Sequence, residues 1–322
     1  MENEQEPLSE PSTAEDVYHS SLSGEAALDE KEVTPWGPWW SLLWSFVAVS
    51  IWTVAQALLV GGAYMVSNPE KKSFDDFSGG VTSDGDLMGS MAFGSAGIGC
   101  LVILLIVKVR GVSLTKGLGL RAPKWWVWLL LPFATFLLLT VLNLAITPFQ
   151  TEKALLDKGG IVNLIRGTDW IILLLLGVAV GAPFFEEFLF RGLLHEGLKQ
   201  SFLGTWGSAI VTGLAFSAMH IQYQDLSAFL FLFLLGVALV AAREWTGSLW
   251  VPIAMHAIQN TLATVPMFLF VNGVIPEDQM PEDIKEIIEQ ADQQLLKEAQ
   301  ALEVEAPVTE ASDAEWLEAV QF

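Results

Sequence analysis

The sequence predicts an all-α integral membrane protein with about seven to eight transmembrane helices and disordered or partly helical acidic tails. Three observations predict it: where the charge lies, how long the apolar runs are, and where the tryptophans fall. Of the 322 residues 52% are hydrophobic and only 16% charged, yet the formal net charge is −21. Residues 1–38 hold ten acids against Lys31, and residues 273–322 hold fourteen against Lys285 and Lys297. The stretch 39–272 is neutral, with 13 acids and 13 bases, so the whole charge excess belongs to the tails.

A helix must supply roughly 20 apolar residues to cross about 30 Å of hydrocarbon. Seven stretches qualify: Trp39–Val66, Met91–Val107, Trp125–Ile146, Trp170–Phe190, Leu203–His220, Leu226–Ala242 and Leu249–Val271. An eighth follows if one of them splits or re-enters. Trp36, Trp39, Trp40, Trp125, Trp126, Trp170, Trp206 and Trp250 fall near the ends of these runs, where amphipathic indoles anchor at the membrane interface. The link after the second span carries Lys108, Arg110, Lys116, Arg121 and Lys124. This is the strongest basic cluster, and it points to a cytoplasmic link and, by alternation, a cytoplasmic N-terminus.

Several classes are excluded. Without a Lys/Arg cluster large enough to displace phosphate counterions, nucleic acid is not a partner. A lone Cys100 cannot form a disulfide framework and reads as a small buried hydrophobe. No basic segment followed by an apolar run marks a cleavable signal peptide. Asp84-Gly85-Asp86 reads as a turn, since no twelve-residue calcium loop follows it.

Three regions result: an acidic N-terminal tail (1–38) too polar to fold alone, a polytopic body (39–272), and an acidic C-terminal tail (273–322). Within the last, Ile284, Ile287, Ile288, Ala291, Leu295, Ala299 and Leu302 recur at helical spacing, predicting an amphipathic helix over 282–302. Its acidity disfavours an anionic lipid surface and suits docking to protein; the partner of the tails is unassigned.

An ionisable group at membrane depth costs about 2.5–3.5 kcal/mol on insertion scales unless paired or wetted, so such groups are the first candidates for function. The fourth span contains Pro183-Phe184-Phe185-Glu186-Glu187-Phe188-Leu189-Phe190-Arg191. Glu187 and Arg191 stand four apart, acid first, the favoured order for a helical ion pair. Glu186 points about 100° away and is not neutralised by the same arginine. Pro183 removes a backbone donor just before the pair. Two readings are open, namely solvated acids at a span end, or a structural pair beside a free carboxylate base.

The fifth span ends in Phe216-Ser217-Ala218-Met219-His220, where His220 is either interfacial or functional and Phe216 by default packs. The seventh carries His256 and Asn260 on one face, and polar side chains at such depth serve packing or function. His195 reads as a loop or helix-end residue. No H-E-x-x-H is present, which excludes the zincin arrangement.

Glu186-Glu187-x-x-x-Arg191, Phe216-x-x-x-His220 and His256-x-x-x-Asn260, in that order on successive spans, resemble the signature of the CPBP intramembrane proteases, also called the type II CAAX prenyl endopeptidase or Abi family. The resemblance covers about 170–272. It implies a multi-helix, multi-pass protein of the membrane, in a bacterial setting the cell membrane. Such a protein hydrolyses peptide bonds of membrane-anchored or transmembrane protein substrates in a cavity open to membrane lipids. Carried over, Glu186 assisted by His220 activates water, His256 and Asn260 stabilise the oxyanion, Glu187 and Arg191 form the structural pair, and Phe216 lines the cavity wall.

The chemistry leaves two routes open. Glu186, His220 and His256 could hold zinc with water as fourth ligand. Alternatively, a desolvated Glu186 is the general base without metal, with His256 and Asn260 as an oxyanion hole. Other function classes use the same residues: a proton-linked carrier, or a non-catalytic scaffold or immunity protein. The carrier reading predicts paired broken helices in two related halves, which the sequence lacks.

Overall fold

The computed structural model describes residues 36–67, 84–150, 162–220 and 225–305. The N-terminal tail before residue 36, the loop 68–83, the link 151–161, residues 221–224 and the last seventeen residues lie outside the described set. The described residues form helices and connecting turns without strands. In chain order the helices are α1 (Pro38–Ser67), α2 (Gly85–Val109), the short α3 (Leu114–Gly117), α4 (Trp125–Ile146), α5 (Ile171–Leu198), α6 (Gly204–Ala218), α7 (Leu226–Thr246), α8 (Trp250–Val271) and α9 (Glu282–Glu305).

Six of these, α1, α2, α4, α5, α7 and α8, are long and apolar enough to cross a membrane, and the protein is a multi-pass membrane protein. The expected span at 203–220 is the 15-residue α6. At 1.5 Å per residue it reaches only about 22 Å, short of the hydrocarbon thickness. The outer surfaces of the spans are apolar, with Phe46, Leu58, Leu129, Phe133 and Leu144 among the most exposed side chains. This is the inverse of a soluble protein, as a lipid solvent requires. Trp39, Trp125, Trp170 and Trp206 are exposed at helix ends, as interfacial anchors should be, but Trp36 is only 1% exposed. It packs into the core against α3 instead, with its ring tip 3.1 Å from where a Cβ on Gly117 would lie.

Helix α5 is the central element. Its side chains from Phe185 to Leu198 are buried almost without interruption, and they form the main core with Ala96 and Ile103 of α2, Phe216 of α6 and Ile253 of α8. A second core joins α4 to α7 and α8 through Val127, Leu131, Leu139, Leu235, Leu239, Val251 and Met255. A third joins the start of α5 and the end of α8 to α9, where Ile287 and Ala291 are buried against Leu174 and Met267. Arg166 pairs with Asp292 at 2.6 Å across that contact, so the acidic helix is docked on the membrane body through its apolar face.

Asp84-Gly85-Asp86 is an end-capping device. The Asp84 carboxylate accepts the Leu87 N–H at 2.9 Å, and Asp86 accepts the Trp170 N–H at 2.9 Å, tying the start of α2 to that of α5. Without water inside a bilayer, helices associate by close packing of small residues, and α2 meets α5 that way. A Cβ on Gly177 would lie 2.4 Å from the Gly89 carbonyl oxygen, so two backbones are in contact there. Gly177→Val should therefore destabilise the protein by about 2 kcal/mol or more, in the range of overpacked cores. A lowered thermal midpoint of the purified protein in detergent is the check, with Gly97→Ala, where nothing lies within 4 Å of the added carbon, staying close to wild type.

Candidate active site

The acid pair lies on a single α-helical turn, Ala182–Glu187, between two stretches of wider π-helix, Leu176–Gly181 and Phe188–Leu194. In the wide segments a backbone N–H reaches back five residues: Ala182 bonds to Gly177 and His195 to Phe190. Such turns are rare and frequently lie at functional sites.

Glu187 and Arg191 form the expected pair, with Arg191 Nη1 donating to Glu187 Oε1 at 2.8 Å and both side chains essentially inaccessible. Arg191 Nη2 also donates to the Gly236 carbonyl of α7 at 3.1 Å, and the guanidinium lies 4.7 Å from the centroid of the Phe216 ring. A planar cation can hold a carboxylate, a carbonyl and an aromatic face at once. Glu187 Oε1 also receives His256 Nδ1 at 2.9 Å. Because a carboxylate only accepts, Nδ1 carries the hydrogen and Nε2 faces the other way.

What Nε2 faces is Glu186, whose Oε2 is 3.8 Å away. Glu186 is 9% exposed, and its Oε2 accepts no hydrogen bond from the protein. The second carboxylate therefore points away from the arginine, as adjacent helical positions require, and toward imidazole. Phe216 is fully buried at the centre of the group, 4.9 Å from the ring of His220, 5.6 Å from that of His256 and 5.5 Å from that of Phe190. His220 follows α6 directly, and its Nδ1 meets the Phe216 carbonyl at 2.9 Å. This leaves Nε2 as the imidazole acceptor. Asn260, one turn after His256, donates from Nδ2 to the Val178 carbonyl at 2.7 Å.

Six of the seven residues singled out by sequence are thus joined by direct contacts among α5, α6 with the turn after it, and α8, while Asn260 bonds the Val178 carbonyl of α5 instead. Carboxylate and imidazole donors suit zinc chemically, and a carboxylate bonded to the far nitrogen of a histidine is a common orienting device for a metal ligand. Yet among the described residues no group of three or more His, Cys, Asp or Glu side chains is arranged to hold a metal ion. Glu186 and His256 approach each other at 3.8 Å, while the ring of His220 packs against that of Phe216.

His195 stands in the last turn of α5, the helix-end alternative of the sequence reading. It is helical, wholly buried, and belongs to a second polar cluster. Its Nε2 bonds Glu244 at 3.2 Å and its Nδ1 bonds Ser208 at 2.9 Å. Lys199 bridges Glu244 at 3.0 Å and Glu196 at 2.9 Å, and Arg243 bonds Glu196 at 3.1 Å and the Leu118 carbonyl at 3.3 Å. The partner of His195 lies 49 residues away in sequence, so no local spacing announces the contact. Gly119, at φ +72°, lies directly against Arg243, which leaves no room for a side chain there. The cluster fastens the ends of α5 and α7 and the turn after α3 into one rim.

Breaking a buried ion pair by removing one partner costs about 3–5 kcal/mol. Arg191→Met should therefore lower unfolding stability in detergent by that order, and Glu187→Gln combined with Arg191→Met should lower it less. A double variant as unstable as Arg191→Met alone would argue against the pairing.

Comparison with known proteins adds an independent line. Residues 168–262 match the model of the Rce1-like family, described as type II CAAX prenyl endopeptidase Rce1-like. An uncharacterized 24.3 kDa protein of Escherichia coli is 37% identical over 128 residues, 39% of this chain and 55% of that protein. The uncharacterized protein YpbD of Bacillus subtilis is 38% identical over 109 residues, 32% of this chain and 50% of its own length. The membrane-embedded CAAX protease MroQ of Staphylococcus aureus is 25% identical over 198 residues, 59% of this chain and 74% of that protein. The chain spans about half the length of the first two relatives. No solved structure matches.

Proposed function

We propose that the chain, whose residues 168–262 match the Rce1-like family model, is an intramembrane endopeptidase of the CPBP type that hydrolyses a peptide bond of a membrane-anchored or transmembrane protein. One observation carries the reading: a buried carboxylate, Glu186, that accepts no protein hydrogen bond and faces His256 at 3.8 Å, beside a second carboxylate already neutralised by Arg191. Division of labour between paired acids is how one site keeps a structural charge and a reactive one.

In this mechanism Glu186 takes a proton from water as the oxygen adds to the scissile carbonyl carbon, with His220 Nε2 accepting the water's second hydrogen bond. A protonated His256, its Nδ1–H held by Glu187, donates from Nε2 to the oxyanion as the carbonyl π bond breaks. Collapse of the tetrahedral intermediate re-forms the carbonyl and breaks the C–N bond, and Glu186 returns its proton to the leaving nitrogen. Donors already oriented in a water-poor site need no reorganisation as charge develops. Phe216 keeps both imidazoles apart and walls the site.

Zinc on Glu186, His220 and His256 is the other form of the proposal, in which the ion supplies an acidified water. The present side-chain arrangement does not gather those three donors, and no step above depends on a metal. The proposed setting is a bacterial cell membrane with the basic link 108–124 and the N-terminus in the cytoplasm.

Glu186→Gln keeps size and removes the base. It should abolish cleavage of a membrane-tethered reporter, a loss of at least about a hundredfold, while the protein still inserts and accumulates. Retained cleavage would sink the assignment. Zinc content of the purified protein, with and without His220→Ala, separates the two forms; a stoichiometric ion lost in the variant selects the metal form.

A further inference from the structure

The register of α5 changes just before the acid pair, and it leaves one carbonyl without a donor of its own. The Ala182 N–H bonds to Gly177, five residues back, instead of to Val178, four back. In that register the next donor, for Val178, is the N–H of residue 183. Residue 183 is proline, which has no N–H. Neither helical pattern therefore supplies the Val178 carbonyl, and a membrane interior offers no water to pair an orphaned backbone group. The donor comes from another helix: Asn260 Nδ2 of α8, at 2.7 Å. Two successive turns of α8 thus grip α5, Asn260 at the Val178 carbonyl and His256 at the Glu186–Glu187 carboxylates.

We propose that Asn260 is a positioning residue, and not an oxyanion donor: its carboxamide replaces the backbone N–H that Pro183 removes and so holds α5 in the wide register that presents both glutamates to His256. The reason is geometric. If Val178 recaptured the Ala182 N–H, one residue would leave the wide turn, and everything beyond would rotate by about 100° relative to α8. Glu186 would swing away from His256, and Glu187 could no longer meet both Arg191 and His256. The site thus depends on a hydrogen bond eight residues before its reactive carboxylate. The functional half of this proposal rests on the endopeptidase reading; the structural half rests only on Pro183, Val178 and Asn260.

A double-mutant cycle tests it on the full-length protein: Asn260→Ala, Pro183→Ala and the two combined. Pro183→Ala returns a backbone donor at the position where Val178 lacks one. Each variant is read twice, by thermal unfolding in detergent and by cleavage of a membrane-tethered reporter. Asn260→Ala should lower the midpoint and cut cleavage by roughly tenfold or more, and in the Pro183→Ala background the same change should cost no more than about threefold, a coupling expected only for groups that share a partner. Additive losses in midpoint would overturn the shared carbonyl. Coupled midpoints with cleavage still lost in the double variant would overturn positioning and make Asn260 a donor to the reaction. If wild type cleaves nothing, the endopeptidase reading falls, and the midpoints still decide whether Asn260 substitutes for the missing N–H.

Discussion

The constraint on which the structure turns is a positive charge with no access to water. Arg191 cannot shed its proton and cannot reach solvent, so everything around it must answer for the charge. Glu187 supplies the counter-ion, Gly236 a carbonyl and Phe216 an aromatic face. Those partners lie on α5, α7 and α6, and the Glu187 carboxylate extends the set to α8 through His256. One buried ion pair thereby specifies how four helices meet in a medium where the hydrophobic effect does not choose among helix neighbours. It also sorts the two glutamates. The one turned toward Arg191 is structural, and its neighbour, rotated by one helical step, is left to face the imidazole.

A helix that must bury so many polar groups cannot be regular throughout. Helix α5 has wide turns on either side of the acid pair, and each departure leaves backbone groups that must be satisfied from elsewhere. On one side the answer is Asn260 at the Val178 carbonyl. The same wide turn brings Gly177 against the backbone of Gly89, so the irregular stretch is wedged between α2 and α8. Under the endopeptidase reading that rigidity has a chemical use, since a misplacement of about an ångström can cost on the order of a hundredfold in rate.

The second polar cluster, with His195, Glu196, Lys199, Arg243 and Glu244, does for the end of the bundle what Arg191 does for its middle. Its charges are paired along a chain of contacts between 2.9 and 3.2 Å, two carboxylates against Lys199 and Arg243, so it offers no unbalanced group comparable to Glu186. The distinction between a structural ion network and a reactive site lies in that remainder. At the opposite end, α9 covers the start of α5 and the end of α8 with an apolar stripe, while Glu282, Glu286 and Glu289 are exposed and Asp292 pairs with Arg166.

Residue order alone determined a good deal. The apolar runs announce the helical membrane body, because a bilayer admits few other structures. Four-residue spacing is enough to pair Glu187 with Arg191 and to align His256 with Asn260, because both are local properties of a helix. Local spacing is silent about register, partners on other helices and exact length. The shortness of α6, the burial of Trp36 and His195, and the Gly236 carbonyl beneath Arg191 are contacts between segments distant in sequence. Pro183 was visible as a missing donor, but which carbonyl it orphans depends on the wide turn, and which side chain repairs it depends on how α8 crosses α5. Identity and periodicity therefore settled which groups are present and which face they share. Only the tertiary structure decided which of them meet, since in a membrane every buried polar group must find its partner across helices.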